Sequence, residues 1–136
     1  MHPFREAVEN RDMVAVDELL AEDVTFISPV AFAPYQGKPI TAAILRGVLR
    51  VFEDFRYVKE FGAPGAPDHA LMFETTVNGK ALTGCDFLHL DADGKIDELM
   101  VMVRPLSGAT ALAEAMGAQF DRIRAEAERG TGTESG

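Results

Sequence analysis

A carboxylate set in the middle of an apolar strand is the first residue that asks for a chemical explanation. From Leu82 to Leu90 the alternation of a strand puts Leu82, Gly84, Asp86, Leu88 and Leu90 on one face. Thr83, Cys85, Phe87 and His89 fall on the other. Burying a carboxylate is costly unless it is paired, protonated or open to a cavity. Desolvation also raises its pKa, which suits a group that donates a hydrogen bond or moves a proton near neutral pH. Asp86 is therefore the candidate catalytic residue. Ser28, which ends a strand before Pro29, and Tyr35, in an apolar loop, are candidates for hydrogen bonds to a ligand.

The other reactive side chains carry less. His2, His69 and His89 show no spacing for a shared metal, and Cys85 is the single cysteine. A lone cysteine excludes an intramolecular disulfide and a cysteine-based metal site, and on a buried strand it reads as a small hydrophobe. His2 is expected in solvent, and Glu74, opposite Phe73, in solvent or at an interface. Asp91-Ala92-Asp93-Gly94 begins like a calcium loop but lacks the acidic positions that should follow, including the twelfth, and so reads as a polar hairpin turn. No phosphate-cradling glycine loop or serine elbow is present. Neither a metal nor a cofactor is expected.

These residues need elements to position them. The stretch Leu82–Leu90, a turn at Asp91–Gly94 and Lys95–Arg104 read as a hairpin, with Leu99, Val101 and Val103 opposite Met100 and Met102. By parity Asp97 shares a face with Leu99, and Arg104 does not. Asn78-Gly79 is a strong hairpin turn between Ala70–Val77 and that strand. Phe55–Phe61 reads as a further strand with Phe55, Tyr57 and Phe61 aligned. Earlier, Pro3 suits a first helical turn, and Asp12 caps a helix over Met13–Leu20. A strand follows at Val24–Ser28, then an apolar, aromatic loop over Val30–Gly37. Ile40, Ile44, Val48 and Phe52 recur with helical period, and Leu112, Met116, Phe120 and Ile123 mark a closing helix of about twenty residues. The predicted architecture is α+β: a cone-shaped, curved antiparallel sheet with N-terminal helices roofing a central pocket, plus an extra C-terminal helix. Phe26, Phe52, Phe55, Leu71, Phe73, Leu88, Leu99, Val101 and Val103 are expected to form the core, some of them lining the pocket.

The totals bound the rest. The chain has 136 residues, enough for one domain over 1–129, with a tail of Gly, Thr, Ser and Glu over 130–136 expected to be disordered. A formal net charge of −9 argues against nucleic acid or an anionic membrane as partners. Residues Met1–Glu6 offer no basic start before an apolar run, and no run is long enough to span a bilayer. A cytoplasmic protein is expected. The outer sheet face, with Cys85, Phe87, Met100 and Met102, is apolar and needs cover from the C-terminal helix or from a second subunit, and a homodimer through this face is the expected partner.

At this point the chain resembles the SnoaL-like, ketosteroid-isomerase-like superfamily, also called nuclear transport factor two-like. The stretches that carry the likeness are Leu19–Phe26, Ser28-Pro29-Val30 leading to Gly37, and Asp86-Phe87-Leu88 through Gly94-Lys95-Ile96. The resemblance implies a conical sheet round a pocket, often dimeric through its outer face, with functions from isomerases, cyclases and epoxide hydrolases to non-catalytic binding. Where ketosteroid isomerases place a base aspartate before a proline, this chain has Ser28. Where they place an oxyanion-hole tyrosine, it has Phe4, and only Asp86 matches, as the protonated oxyanion donor. Polyketide cyclases of the SnoaL type use a deep acid, for which Asp86 is the match. The aspartate pair and arginine of limonene-type epoxide hydrolases are incomplete. The expected function is binding of a hydrophobic, oxygenated small molecule, with Asp86 as acid/base of a cofactor-free isomerase, cyclase or hydrolase; the alternative is a non-catalytic ligand-binding or dimerisation module.

Overall fold

A computed structural model describes residues 1–135, and the side chains of residues 1–129. Local signals start each of the first helices. In α1 (Pro3–Glu9) the ring of His2 accepts from the Phe4 N–H, and in α2 (Met13–Leu19) the Asp12 carboxylate accepts from the Ala15 N–H. Each caps a helix end that otherwise leaves its N–H groups unpaired. The strand β1 (Leu20–Ile27) begins earlier than its alternation suggests. Tyr35 belongs to a two-residue strand, β2 (Tyr35–Gln36), and not to a free loop, because it pairs with Phe26. Gly37, at φ +103°, turns the chain into α3 (Lys38–Val51), a backbone setting that glycine adopts without strain.

The meander then follows as β3 (Glu53–Phe61), β4 (Asp68–Val77), β5 (Lys80–Leu90) and β6 (Ile96–Arg104). Together the strands make one open, curved sheet in the order β2-β1-β6-β5-β4-β3. All neighbours are antiparallel except β1 and β6, which run parallel. The chain leaves β1 at one side of the sheet, crosses through α3 to the far edge, and zigzags back until β6 meets β1.

Two irregularities change which way side chains point. A register shift between Tyr57 and Lys59 adds a residue to β3, and an added residue reverses the facing of all that follow. Phe61 consequently pairs with Ala70 and is exposed, out of line with Phe55 and Tyr57. A second shift lies between His89 and Leu90. It turns Asp97 away from the face of Leu99 and against His89, whose Nδ1 lies 2.6 Å from Asp97 Oδ1.

Helix α4 (Leu106–Ser135) is longer than its apolar period suggests. The tail expected over 130–136 lies outside the residues whose side chains are described. The helix lies against α3, where Glu126 receives Arg46, Arg50 and Arg122 at 2.9–3.2 Å. Burial opposes ionisation of Glu126, but the Arg46 and Arg50 guanidinia outweigh it and hold the carboxyl below its usual range. Leu112 and Ile123 are buried on the inner side of the sheet. Among the described residues, α4 leaves the outer sheet face uncovered: Phe87 is 41% and Met102 56% exposed.

Candidate active site

The inner side of the sheet and all four helices surround an apolar cavity of about 260 Å³. Its floor is built by strand register. Tyr57 on β3 stands opposite Phe73 on β4, which stands opposite Gly84 on β5. Asp86 occupies the next inward position of β5, opposite Leu71. Gly84 is required here, since a Cβ would sit 2.2 Å from Phe73 Cζ. Phe73 lies over that bare backbone, and Tyr57, edge-on to the Phe73 ring, reaches across β4 to Asp86. The Tyr57 hydroxyl donates to Asp86 Oδ2 at 2.7 Å.

This pair is dry. Asp86 is 8% and Tyr57 5% exposed, and Phe52, Phe55 and Phe73 pack ring to ring around them at 5.1–5.6 Å. Burial pushes the Asp86 carboxyl up from 3.8 to about 7, with the Tyr57 hydrogen bond pulling it partly back. Burial first, and the Asp86 charge second, drive the Tyr57 hydroxyl well above 10. Asp86 is thus poised to change protonation near neutral pH while Tyr57 stays neutral. Tyr57 holds Oδ2, and among the described residues no hydrogen bond engages Oδ1 of this cavity-lining carboxyl. A protonated Asp86 can donate to a ligand oxygen there, and an ionised one can accept a proton.

The remaining sequence candidates divide. Ser28, Tyr35, Phe26, Phe52, Phe55, Phe73 and Val101 line the cavity with Asp86. Ser28 Oγ also accepts from the Val30 N–H, closing a local turn. Tyr35 lies between Phe26 and Phe120, 6.3 Å from each ring. Leu71, Leu88 and Leu99 are packed wholly into the core behind the wall, and Val103 is likewise off the cavity. They share the inner face, but strand alternation gives the face and not how far helices stand off it.

The sequence reading did not single out Tyr57 as a partner of Asp86. The available signal was a lone inner-face tyrosine among phenylalanines, and its target depended on two strand registers. The N-terminal helices were expected as the roof, but their lining residues were not singled out, including Ile44 and Val48, nor were Leu112, Met116 and Phe120 on α4. Asp97 and Arg104 stand on the outer side, away from the cavity, so they offer it neither a second carboxylate nor a guanidinium. His2 is not simply in solvent. It caps α1, meets the His69 ring edge-on at 4.8 Å, and its backbone N–H binds Glu60. Burial and His69 lower its pKa.

Asp91 Oδ1 accepts from the N–H groups of Asp93 and Lys95, which makes this segment a hydrogen-bonded hairpin turn. Among the described residues no cluster of three or more His, Cys, Asp or Glu is placed to hold a metal ion, and no helix is long and apolar enough to cross a membrane.

The sequence of residues 2–99 matches the pattern of a SnoaL-like domain. Among solved structures, a steroid delta-isomerase from Pseudomonas aeruginosa is 38% identical, with a TM-score of 0.83 over 90% of this chain and 89% of that one. A protein with a cystatin-like fold from Silicibacter pomeroyi is 32% identical, with a TM-score of 0.80 over 91% of each chain. A nuclear transport factor two-like protein of unknown function from Cytophaga hutchinsonii is 25% identical, with a TM-score of 0.58 over 76% of this chain and 85% of that one. Among curated proteins none matches.

Proposed function

The chain belongs to the SnoaL-like domain family, and from that membership we propose that its cone binds a flat, apolar, oxygen-bearing small molecule and moves a proton on it through Asp86. The reading is carried by one observation: among the described residues Asp86 is the only carboxyl group lining the cavity, its pKa is about 7, and Tyr57 bonds to one of its oxygens. A ligand oxygen at Oδ1 would complete the pair in a site from which the aromatic wall excludes water.

Isomerase or cyclase chemistry fits such a group, which can give a proton to one atom of the ligand and take one from another. No cofactor is needed for that step. The steroid delta-isomerase neighbour supports chemistry of this kind. The resemblance sets Ser28 and Phe4 at the positions of the ketosteroid-isomerase base and tyrosine, so the proposed route runs through Asp86 and not through that base. A second reading, a pocket that holds a ligand without turning it over, is favoured by the absence, among the described residues, of another carboxyl on the cavity wall.

A thermal-shift screen of hydrophobic, oxygen-bearing compounds tests both readings, because a ligand that binds only the folded state raises stability by mass action. A family of related hits is expected, with turnover abolished in Asp86→Asn. Hits recovered unchanged after long incubation with the wild type would select the binding reading, and a screen without hits would sink both.

The exposed Phe87 and Met102, with half-buried Met72, Cys85 and Met100 beside them, support a homodimer through the outer sheet face. Light scattering should give the mass of two chains for the wild type and one for Met102→Glu. A wild-type mass of one chain excludes it.

A further inference from the structure

Within residues 1–129 three glycines lie inside helices, where glycine costs about 1 kcal/mol against alanine. Packing accounts for two. A Cβ at Gly47 would meet Ile123 at 2.8 Å, and one at Gly108 would meet Leu82 at 2.7 Å. Gly117, midway along α4, has no such neighbour: an added Cβ would find nothing within 4 Å. Gly117 nevertheless borders the cavity, as does Ala113 one turn before it, and both are exposed.

Pro29, Val30 and Ala31 border the same cavity from the segment after β1, with Val30 also exposed. Deeper residues of the α4 wall, Leu112 and Ile123, are buried, and so is Asp86. The small side chains therefore stand where the cavity meets solvent, and the carboxyl at its closed end. This wall lies outside residues 2–99, the part of the chain that the family pattern covers.

We infer that Ala113 and Gly117, with Pro29–Ala31, form the portal of the cavity, and that the missing side chain at Gly117 sets how wide a molecule can pass. Resting on the reading of the cavity as a ligand site, the inference adds the direction of entry. A flat apolar body passes between α4 and the β1 loop with its oxygen leading, so that the oxygen reaches Asp86 while the far end stays at the rim.

Stopped-flow fluorescence with two probes tests this. Naphthalene has no oxygen and needs only the cavity, whereas 2-naphthol adds one hydroxyl for Asp86. Gly117→Leu is expected to slow both entry and exit of naphthalene about tenfold, with affinity moving less, since a narrowed portal acts on both rates. Ala113→Leu, on the same rim, should slow them as well. Ala118→Leu, exposed and off the cavity, should leave the rates unchanged. Melting of each variant is followed alongside, and leucine for glycine in open helical space should hold or raise Tm.

Unchanged naphthalene rates in both rim variants overturn the portal, and so does a wild-type protein that takes up no naphthalene. If 2-naphthol binds no better than naphthalene while the rim variants still slow entry, the portal stands and the role of Asp86 falls.

Discussion

Replacing Asp86 by asparagine should make the protein more stable at alkaline pH. Above neutral pH the native state holds a buried carboxylate that the unfolded chain keeps in water. The carboxyl moves from 3.8 unfolded to about 7 folded, roughly three pH units at about 1.4 kcal/mol each. That places the cost on the order of 4 kcal/mol. The sign follows from proton binding. The native state holds this proton more tightly than the unfolded chain, so the Asp86 contribution to stability falls as pH rises from near 4 to near 7 and is level above. Asparagine keeps the shape and an acceptor for Tyr57 but carries no charge. Urea unfolding followed by circular dichroism, from about pH 4.5 to about pH 8.5, gives both free energies by linear extrapolation. Carboxylates elsewhere titrate in both proteins and cancel in the difference. Asp86→Asn should exceed the wild type by several kcal/mol at the alkaline end and approach it at the acid end. A difference that is negative at pH 8.5, or independent of pH, would refute the argument that Asp86 is desolvated without a compensating charge.

Two further substitutions probe the same floor. Tyr57→Phe removes the hydrogen bond that favours the ionised carboxyl, so the pH at which stability levels off should move upward. About 1.5–3 kcal/mol should be lost at alkaline pH, where the bond is to a charge. The same urea series checks this, and an unmoved midpoint would count against the Tyr57–Asp86 bond. Gly84→Ala drives a methyl into the Phe73 ring, and overpacking of this kind costs about 1–3 kcal/mol. Its melting temperature should fall at every pH, whereas Asp86→Asn acts mainly above neutrality.

The strands were legible because their alternation is strong and their turns are explicit. Asn78-Gly79 and Asp91–Gly94 fix the registers of β4, β5 and β6, and those registers place Asp86 inward. What alternation cannot carry is a residue added to one strand alone. The shifts in β3 and before Asp97 leave no mark in the sequence, so parity alone puts Phe61 and Asp97 on the wrong face. The cavity wall was half legible for a related reason. Parity identifies inner-face residues, but whether Leu88 and Leu99 meet a helix or empty space depends on packing distances set by side chains far away in sequence. The α4 period announced a helix with an apolar stripe, and nothing in that stripe says that it covers the inner side of the sheet.

The energetics of Asp86 bear on why it is there. A carboxyl kept for structure would be expected to gain from a partner cation or from several hydrogen bonds that favour its charge. Asp86 has one bond, from a neutral hydroxyl, and burial outweighs it. Leucine would fit the pattern of the strand, and asparagine would hold Tyr57 with no charge to bury. Under the proposed proton-transfer role, a group that costs stability where neutral residues would not is what a site shaped by function is expected to hold. Its surroundings point the same way. The glycine opposite Phe73 and the aromatic rings keep the carboxyl dry, and the tyrosine restrains one oxygen of this cavity-lining group. Together they are the surroundings that the proposed proton-transfer group needs in order to titrate near neutrality.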